Sequence, residues 1–180
     1  EALGLAMIAG GQDKAEIERA LMSAVDFADS YEELMYAAQY MARNGLEKRA
    51  LTIFRQVSEA DPLRPEPLQY GLELASRVND LDGLKWASLG VLRQAWPADK
   101  QYLQKQPQNV AASVLEQLRA ANRTQEATEF AHKLAQAKIR DVVVQVTWTG
   151  DADVDVQVEE PTGTVSSFRT PRTSAGGVLL

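Results

Sequence analysis

Carboxylates recur at every second position near the end of the chain: Asp151, Asp153 and Asp155, followed in the same parity by Gln157 and Glu159. Alternate residues of an extended segment point to one side, so this row faces away from Ala152, Val154, Val156 and Val158. Hard cations want several oxygen ligands, which makes Asp151, Asp153 and Asp155 candidate metal ligands and calcium the candidate ion. The spacing fits an EF-hand loop badly: Val156 stands where the sixth-position glycine belongs, and Thr162 where the twelfth-position glutamate belongs. Alternate strand residues also sit about 6.6 Å apart, so three could grip one ion only if the chain curls. Asp151 and Asp153, in or beside a turn, are the better placed, and the plain alternative is a solvated strand face.

Other chemistry is sparse. Glu159 and Glu160 are neighbours that face opposite ways on a strand and make no acid-base pair. His132 is the single histidine, has no motif around it, and reads as an ordinary surface or packing residue. Gly10-Gly11 and Gly176-Gly177 lack the spacing and the following Lys-Ser/Thr of a phosphate loop. Trp86, Trp96 and Trp148 are scattered, as core or interface aromatics are. With no cysteine there is no thiol nucleophile, disulfide framework or thiolate metal site. No catalytic residues are assigned, and no cofactor beyond the calcium hypothesis.

The elements that carry these residues follow from composition and period. A 180-residue chain with 45% hydrophobic content can bury a core, as one medium domain or one domain with a small module. Nineteen basic against 25 acidic side chains leave a net charge of −6. Residues 141–180 hold only two of the basic side chains and six of the acidic ones. No basic stripe exists to neutralise phosphates, which argues against nucleic acid as a partner. No apolar run reaches the roughly 20 residues that span a bilayer, so membrane insertion is not expected. The chain starts at Glu1, and Val178, Leu179 and Leu180 resemble the opening of a further strand after a turn at 175–177; the expectation is a fragment of a larger protein.

At residue 140 the hydrophobic period changes from helical spacing to two-residue alternation. In 31–62, Leu34, Ala37, Ala38 and Met41 form one helical stripe and Ala50, Phe54 and Val57 the facing one. Ser30 is an N-cap with Glu33 completing a capping box, Asn44-Gly45 closes the first helix, and Asp61-Pro62 ends the second. This pattern resembles the tetratricopeptide repeat, a pair of helices with small residues at their crossing and a proline after the second. It recurs every 35 to 40 residues or so. Leu74, Ala75 and Val78 face Ala87 and Val91, with Trp86 beside the crossing and Pro97 after it. Val114, Leu115 and Leu118 then face Ala127, Ala131 and Leu134. Upstream, Met7 and Ile8 would end a helix preceding another over 17–27, giving four pairs in all. The segment 97–107 is a short extra helix or a loop, with Tyr102 and Leu103 arguing for packing.

Stacked pairs form a curved array whose first helices line a concave face, the usual binding surface of such arrays. The resemblance places Glu32, Met35, Gln39 and Arg43 there from the second pair. It adds Leu72, Ser76 and Asn79 from the third, and Glu116 and Arg119 from the fourth. Neither a basic clamp nor a single-sign surface results, which suits a peptide or protein segment held by polar contacts around apolar anchors. The bland alternative is a face that packs on another domain of the parent chain.

Beyond residue 140, segments 142–148 and 154–159 alternate around turn formers at 149–153, predicting a hairpin. Pro161, Thr162 and Gly163 make a second turn before a third strand over 164–169. The run VVVQVTWTGDADVDVQVEEPTG, from Val142 to Gly163, resembles the start of a bacterial β-sandwich family, domain-of-unknown-function family 2135. The marks are Trp148, the Asp-Ala-Asp-Val-Asp segment and the Glu-Pro-Thr-Gly turn. The resemblance covers about 40 residues and implies a cell-envelope or secreted context, without agreed catalytic chemistry.

The expected fold is therefore α+β. A tetratricopeptide-like α-solenoid of helical hairpins spans 1–140, and the N-terminal part of a β-sandwich-like domain, an incomplete antiparallel module, spans 141–180. The expected function is a non-enzymatic scaffold binding protein or peptide on the concave face. The rivals are a calcium-dependent or carbohydrate-binding surface module presented by the helices, and a regulatory arm of a larger enzyme.

Overall fold

The computed structural model describes residues 7, 10–28, 30–62, 64–96, 98–139, 142–171, 173 and 177–179. Among them the chain is mostly helical with one small two-stranded antiparallel sheet, an α+β arrangement. The helices are α1 (Lys14–Asp26), α2 (Tyr31–Arg43), α3 (Glu47–Ala60), α4 (Glu66–Val78), α5 (Leu81–Arg93), α6 (Lys105–Ala120) and α7 (Thr124–Ala137). A 3-10 helix over Ala98–Gln104 leads into α6, and the strands are β1 (Gln157–Glu159) and β2 (Val165–Ser167). No described helix is long and apolar enough to cross a membrane.

Local signals set most helix ends. The Ser30 side chain accepts the amide of Glu33 at the start of α2, and Asp80 accepts the amide of Gly83 at the start of α5. Each satisfies one of the amides that a helix start leaves unpaired. Gly45, at φ 78°, reverses the chain after α2, and Asn79 takes the left-handed conformation after α4. Pro67 sits in the first turn of α4, where its missing N–H costs nothing. Asp61 ends α3 as expected.

Consecutive helices pack on one another from α1 through α7, and α2 also touches α4 while α5 touches α7. The main core runs through this stack, with Phe54, Met41, Ile53, Leu118 and Val114 among its most deeply buried side chains, and Val91 belongs to a second, smaller cluster. The second helices share a burial register: Ala50, Ile53, Phe54 and Val57 of α3 are matched 34 positions on by Leu84, Ala87, Ser88 and Val91 of α5, all buried. From α5 to α7 the interval lengthens, Leu84 and Ala87 corresponding to Ala127 and Phe130. Most of the extra residues lie in the connection that carries the 3-10 helix, and α6, at 16 residues against 13 for α4, adds the rest. In that connection Leu103 and Trp96 are buried with Leu68 and Val91, and the Trp96 indole N–H donates to the Val91 carbonyl at 2.9 Å.

Small residues let α4 and α5 approach closely. A Cβ on Gly71 would run into the Trp86 ring, one on Gly90 into Leu68, and one on Gly83 would lie 2.7 Å from Ala75 Cβ. Trp86 therefore fills the space that Gly71 leaves, and Arg55 from α3 lies 5.3 Å from its ring centroid.

Several expectations change. Val78 is not in the α4–α5 seam but exposed at the last residue of α4, beyond the turn at which Leu74 and Ala75 meet α5. Tyr102 is exposed although its neighbour Leu103 packs, because a 3-10 turn points successive side chains in different directions. Met7 is helical and accepts the amide of Gln12, while Ile8, Pro97 and the junction residues 140 and 141 lie outside the described residues. The helix after Gly11 stops at Asp26, leaving Phe27 exposed.

The predicted hairpin across 149–153 does not form, whereas the predicted turn at Pro161–Gly163 does join paired strands. Residues 142–149 belong to no ladder, and β1 pairs with β2, setting Gln157 opposite Ser167, Val158 opposite Ser166 and Glu159 opposite Val165. The turn responsible is the one at Pro161–Gly163: Gly163, at φ 81°, donates to the Glu160 carbonyl, and the Glu160 amide donates to Thr164. Beyond β2 the Thr173 amide donates to the Gly177 carbonyl and the Leu179 amide to that of Pro171; of the turn expected at 175–177, residues 175 and 176 lie outside the described residues, as does Leu180.

Candidate functional site

Two hydrogen bonds define how α2 and α4 lie together. Near the start of each helix, the Tyr31 hydroxyl donates to the Glu66 carboxylate at 3.4 Å; near the end, the Arg77 guanidinium donates to the Ala42 carbonyl at 2.7 Å. Both join residues 35 positions apart, so α2 and α4 run parallel, side by side and level with one another. Their outer surfaces form one continuous face.

The end of this face nearest Tyr31 is organised by Arg64, in the connection between α3 and α4. Its guanidinium sits 4.0 Å from the Tyr31 ring centroid and pairs with Glu32 at 3.3 Å and with Asp61 at 3.2 Å. One cation thus ties the first turn of α2 to the end of α3. Burial and the neighbouring Glu66 carboxylate push the Tyr31 phenol up to about 12, with Arg64 pulling the other way. Arg43 and Arg77 stand at the opposite end, where cations complement the carbonyl ends of the helices.

The predicted partner-binding residues divide between this surface and the core. Glu32, Arg43, Ser76 and Asn79 are exposed and Gln39 is half-buried, all on α2, α4 or the α4 cap. Met35 and Leu72, placed on the same face from sequence, are buried members of the core. The physical reason is rotational: Met35 lies one turn before Ala38, and Leu72 one turn before Ala75, so each shares the inward stripe. Glu116 and Arg119 are exposed on α6, which packs on α5, α7 and the 3-10 helix.

Sequence reasoning missed the aromatic and acidic members of the α2–α4 face. Tyr36 is 51% and Tyr70 41% exposed, and Glu66 and Glu73 are exposed on α4. Tyr70 stacks on buried Phe54, with ring centroids 6.1 Å apart and planes 17° from parallel, so its ring is held in place while one side stays open. The available signal was the i, i+3, i+4 spacing of Glu66, Gln69, Tyr70 and Glu73, an outward stripe once the inward one is known.

A second ionic seam joins α5 to α7. Lys85 pairs with Asp82 at 2.7 Å and with Glu126 at 3.5 Å, and Arg123 forks onto Glu126 with two bonds of 2.8 Å. Lys85 holds the Asp82 carboxyl below the usual carboxylate range, and Arg123 does the same for Glu126. At the other end of the stack, Arg49 of α3 pairs with Glu18 of α1. Beside that pair, Met22, Val25, Leu34 and Ile53 floor an open cavity of about 350 Å³.

Asp151, Asp153 and Asp155 are exposed on a segment outside the ladder, and no group of three His, Cys, Asp or Glu side chains converges as a metal site among the described residues. The carboxylate that does gather partners is Glu160. It accepts from the hydroxyls of Thr164 and Thr173, and the Gly177 amide donates to the Thr173 hydroxyl at 2.9 Å. These hydrogen bonds, the one from Thr164 foremost, hold the Glu160 carboxyl below its ordinary value. His132 is exposed on α7; Trp96 is buried, Trp86 half-buried and Trp148 exposed. No family model matches the chain, nor does any curated protein or solved structure.

Proposed function

We propose that the helical part is a non-enzymatic, tetratricopeptide-like scaffold that binds a protein or peptide segment along the face shared by its first helices. The observation that carries this reading is the level, parallel placement of α2 and α4, which joins two outward stripes into one face. Its support is the 34-residue burial register of α3 and α5, the length of a tetratricopeptide unit, and the close α4–α5 crossing at Gly71, Ala75 and Gly83. Gln39, Arg43 and Ser76 then serve as polar contacts. Met35 and Leu72 act from beneath by holding the helices in place, and the apolar contribution passes to the tyrosines.

The reading is tested with a photo-crosslinking residue incorporated in the whole chain at Gln39 or at Thr128, which is exposed on α7. Discrete adducts in extract from the host cell are expected from the Gln39 site, and the pair Arg43→Ala and Ser76→Ala should suppress them. Equal labelling from both sites, or adducts indifferent to those substitutions, would reject the face.

A further inference from the structure

We infer that residues 142–148 form an interface between two copies of this chain, pairing antiparallel about a two-fold axis through Gln145. The segment carries the alternating pattern of a strand and is left without a partner. Among the described residues it belongs to no ladder, and no backbone-to-backbone hydrogen bond reaches it. Val142, Val143, Val144, Val146 and Trp148 are between 45% and 78% exposed. An unpaired strand with apolar side chains is a template for pairing with another chain.

What selects a second copy is the symmetry of the segment itself. With Gln145 on the axis, Val142 lies opposite Trp148 and Val144 opposite Val146 on one face of the pair. Val143 lies opposite Thr147, and Gln145 opposite its own counterpart, on the other. Every residue of the first face thus meets an apolar partner, as aromatic with β-branched or β-branched with β-branched, the pairs that stabilise a sheet best. An axis moved to either neighbouring residue leaves Trp148 or Val142 without an apolar partner. Charge selects the antiparallel sense. Residues 142–150 carry no charged side chain, Lys138 stands before them, and Asp151, Asp153 and Asp155 follow. Parallel pairing in register would set the two acidic rows side by side, whereas antiparallel pairing moves them to opposite ends, each toward Lys138 of the other copy.

Two strands of this length bury less than a standard interface, and a net charge of −6 on each copy repels at long range. The dimer is therefore reversible, and it is sought at micromolar concentrations in about 0.15 M salt, where the long-range repulsion is screened. Sedimentation equilibrium of the whole chain should show a monomer–dimer exchange across that range. Val144→Lys with Val146→Lys should weaken it about tenfold or more, with the helical circular dichroism unchanged because both side chains are exposed. Because the chain has no cysteine, Gln145→Cys places a single thiol on the axis. Directly opposed residues bring their Cβ atoms about 4.5–5.5 Å apart, close enough to bridge after a small adjustment, so mild oxidation should yield a disulfide-linked dimer. Gln157→Cys, exposed on β1, should crosslink about tenfold more slowly or less.

A monomer at every concentration would leave the strand to another domain of the parent chain and overturn the inference. Equal oxidation at positions 145 and 157, or a dimer indifferent to the lysine pair, would place the contact elsewhere and overturn it as well. Open-ended aggregates in place of a dimer would show unspecific strand association, with the same result. None of these outcomes bears on the α2–α4 face, which is tested separately by crosslinking at Gln39.

Discussion

Residues 31–93 and residues 142–179 both carry regularly spaced apolar side chains and use them in opposite ways. In the first stretch every helix has at least two neighbours, and Met41, Ile53, Phe54 and Val91 are almost entirely removed from water. In the second, Val142 is 78% and Trp148 54% exposed, and the ladder is three residues long on each strand. Fully burying such a side chain contributes about 1.5–3 kcal/mol. The helical part collects that contribution many times, and the β segment hardly at all. A helix can find its packing partner in the next helix along the chain, whereas an alternating strand specifies which side is apolar without specifying what will cover it.

The contrast is sharpest in the core. Phe54→Ala should cost about 3–5 kcal/mol in urea unfolding, and Val144→Ala should stay within about 0.5 kcal/mol. Comparable losses at the two sites would break the distinction. Next comes the close crossing: Gly71→Val drives a branched side chain into the Trp86 ring and should destabilise by about 1–3 kcal/mol, partly relieved when Trp86 is made smaller in the same molecule. Additive effects at the two positions would mean that they do not share the space. Asp80→Ala removes the cap of α5 and should cost about 1 kcal/mol, against no measurable change for Asp153→Ala, which caps nothing. A loss at Asp153 as large as that at Asp80 would show the acidic row to be structural after all.

The smallest effect is on the pH response of the β segment. Glu160 has a folded pKa below its ordinary value, so its ionised form stabilises the contacts to Thr164 and Thr173. That contribution is complete above the unfolded pKa and is lost as pH falls through the lower, folded one. The protection of the Gly177 amide, relative to its intrinsic exchange rate at each pH, should therefore fall in acid, and Glu160→Gln should remove the dependence. A variant that kept the parent's acid profile would show that another group controls it.

Much of this was legible in the residues. Ser30 caps α2, Gly45 reverses the chain, Asp61 ends α3, and Ala38, Ala50 and Ala87 sit at buried positions, because caps and helical periods act within a few residues. The α2–α4 face was half legible. Met35 and Leu72 looked outward until packing fixed the rotation of α2 and α4, and Tyr70 showed its role only once Phe54 lay behind it. Of the two predicted turns, the one at Pro161–Gly163 joins paired strands and the one across 149–153 does not. Alternation at 142–148 was read correctly as a pattern, but no strand among the described residues pairs with it.

The sequence by itself determined the helical start and stop signals, the stripes of the helix pairs and the change of period near residue 140, all of which depend on neighbours a few positions away. Tertiary structure alone decided that Tyr31 meets Glu66 and Arg77 meets Ala42, because the position of α4 beside α2 depends on how it packs on its other neighbours, Tyr70 on Phe54 of α3 and Gly71 on Trp86 of α5. That fit is a property of volumes in three dimensions, and no periodicity along the chain encodes it.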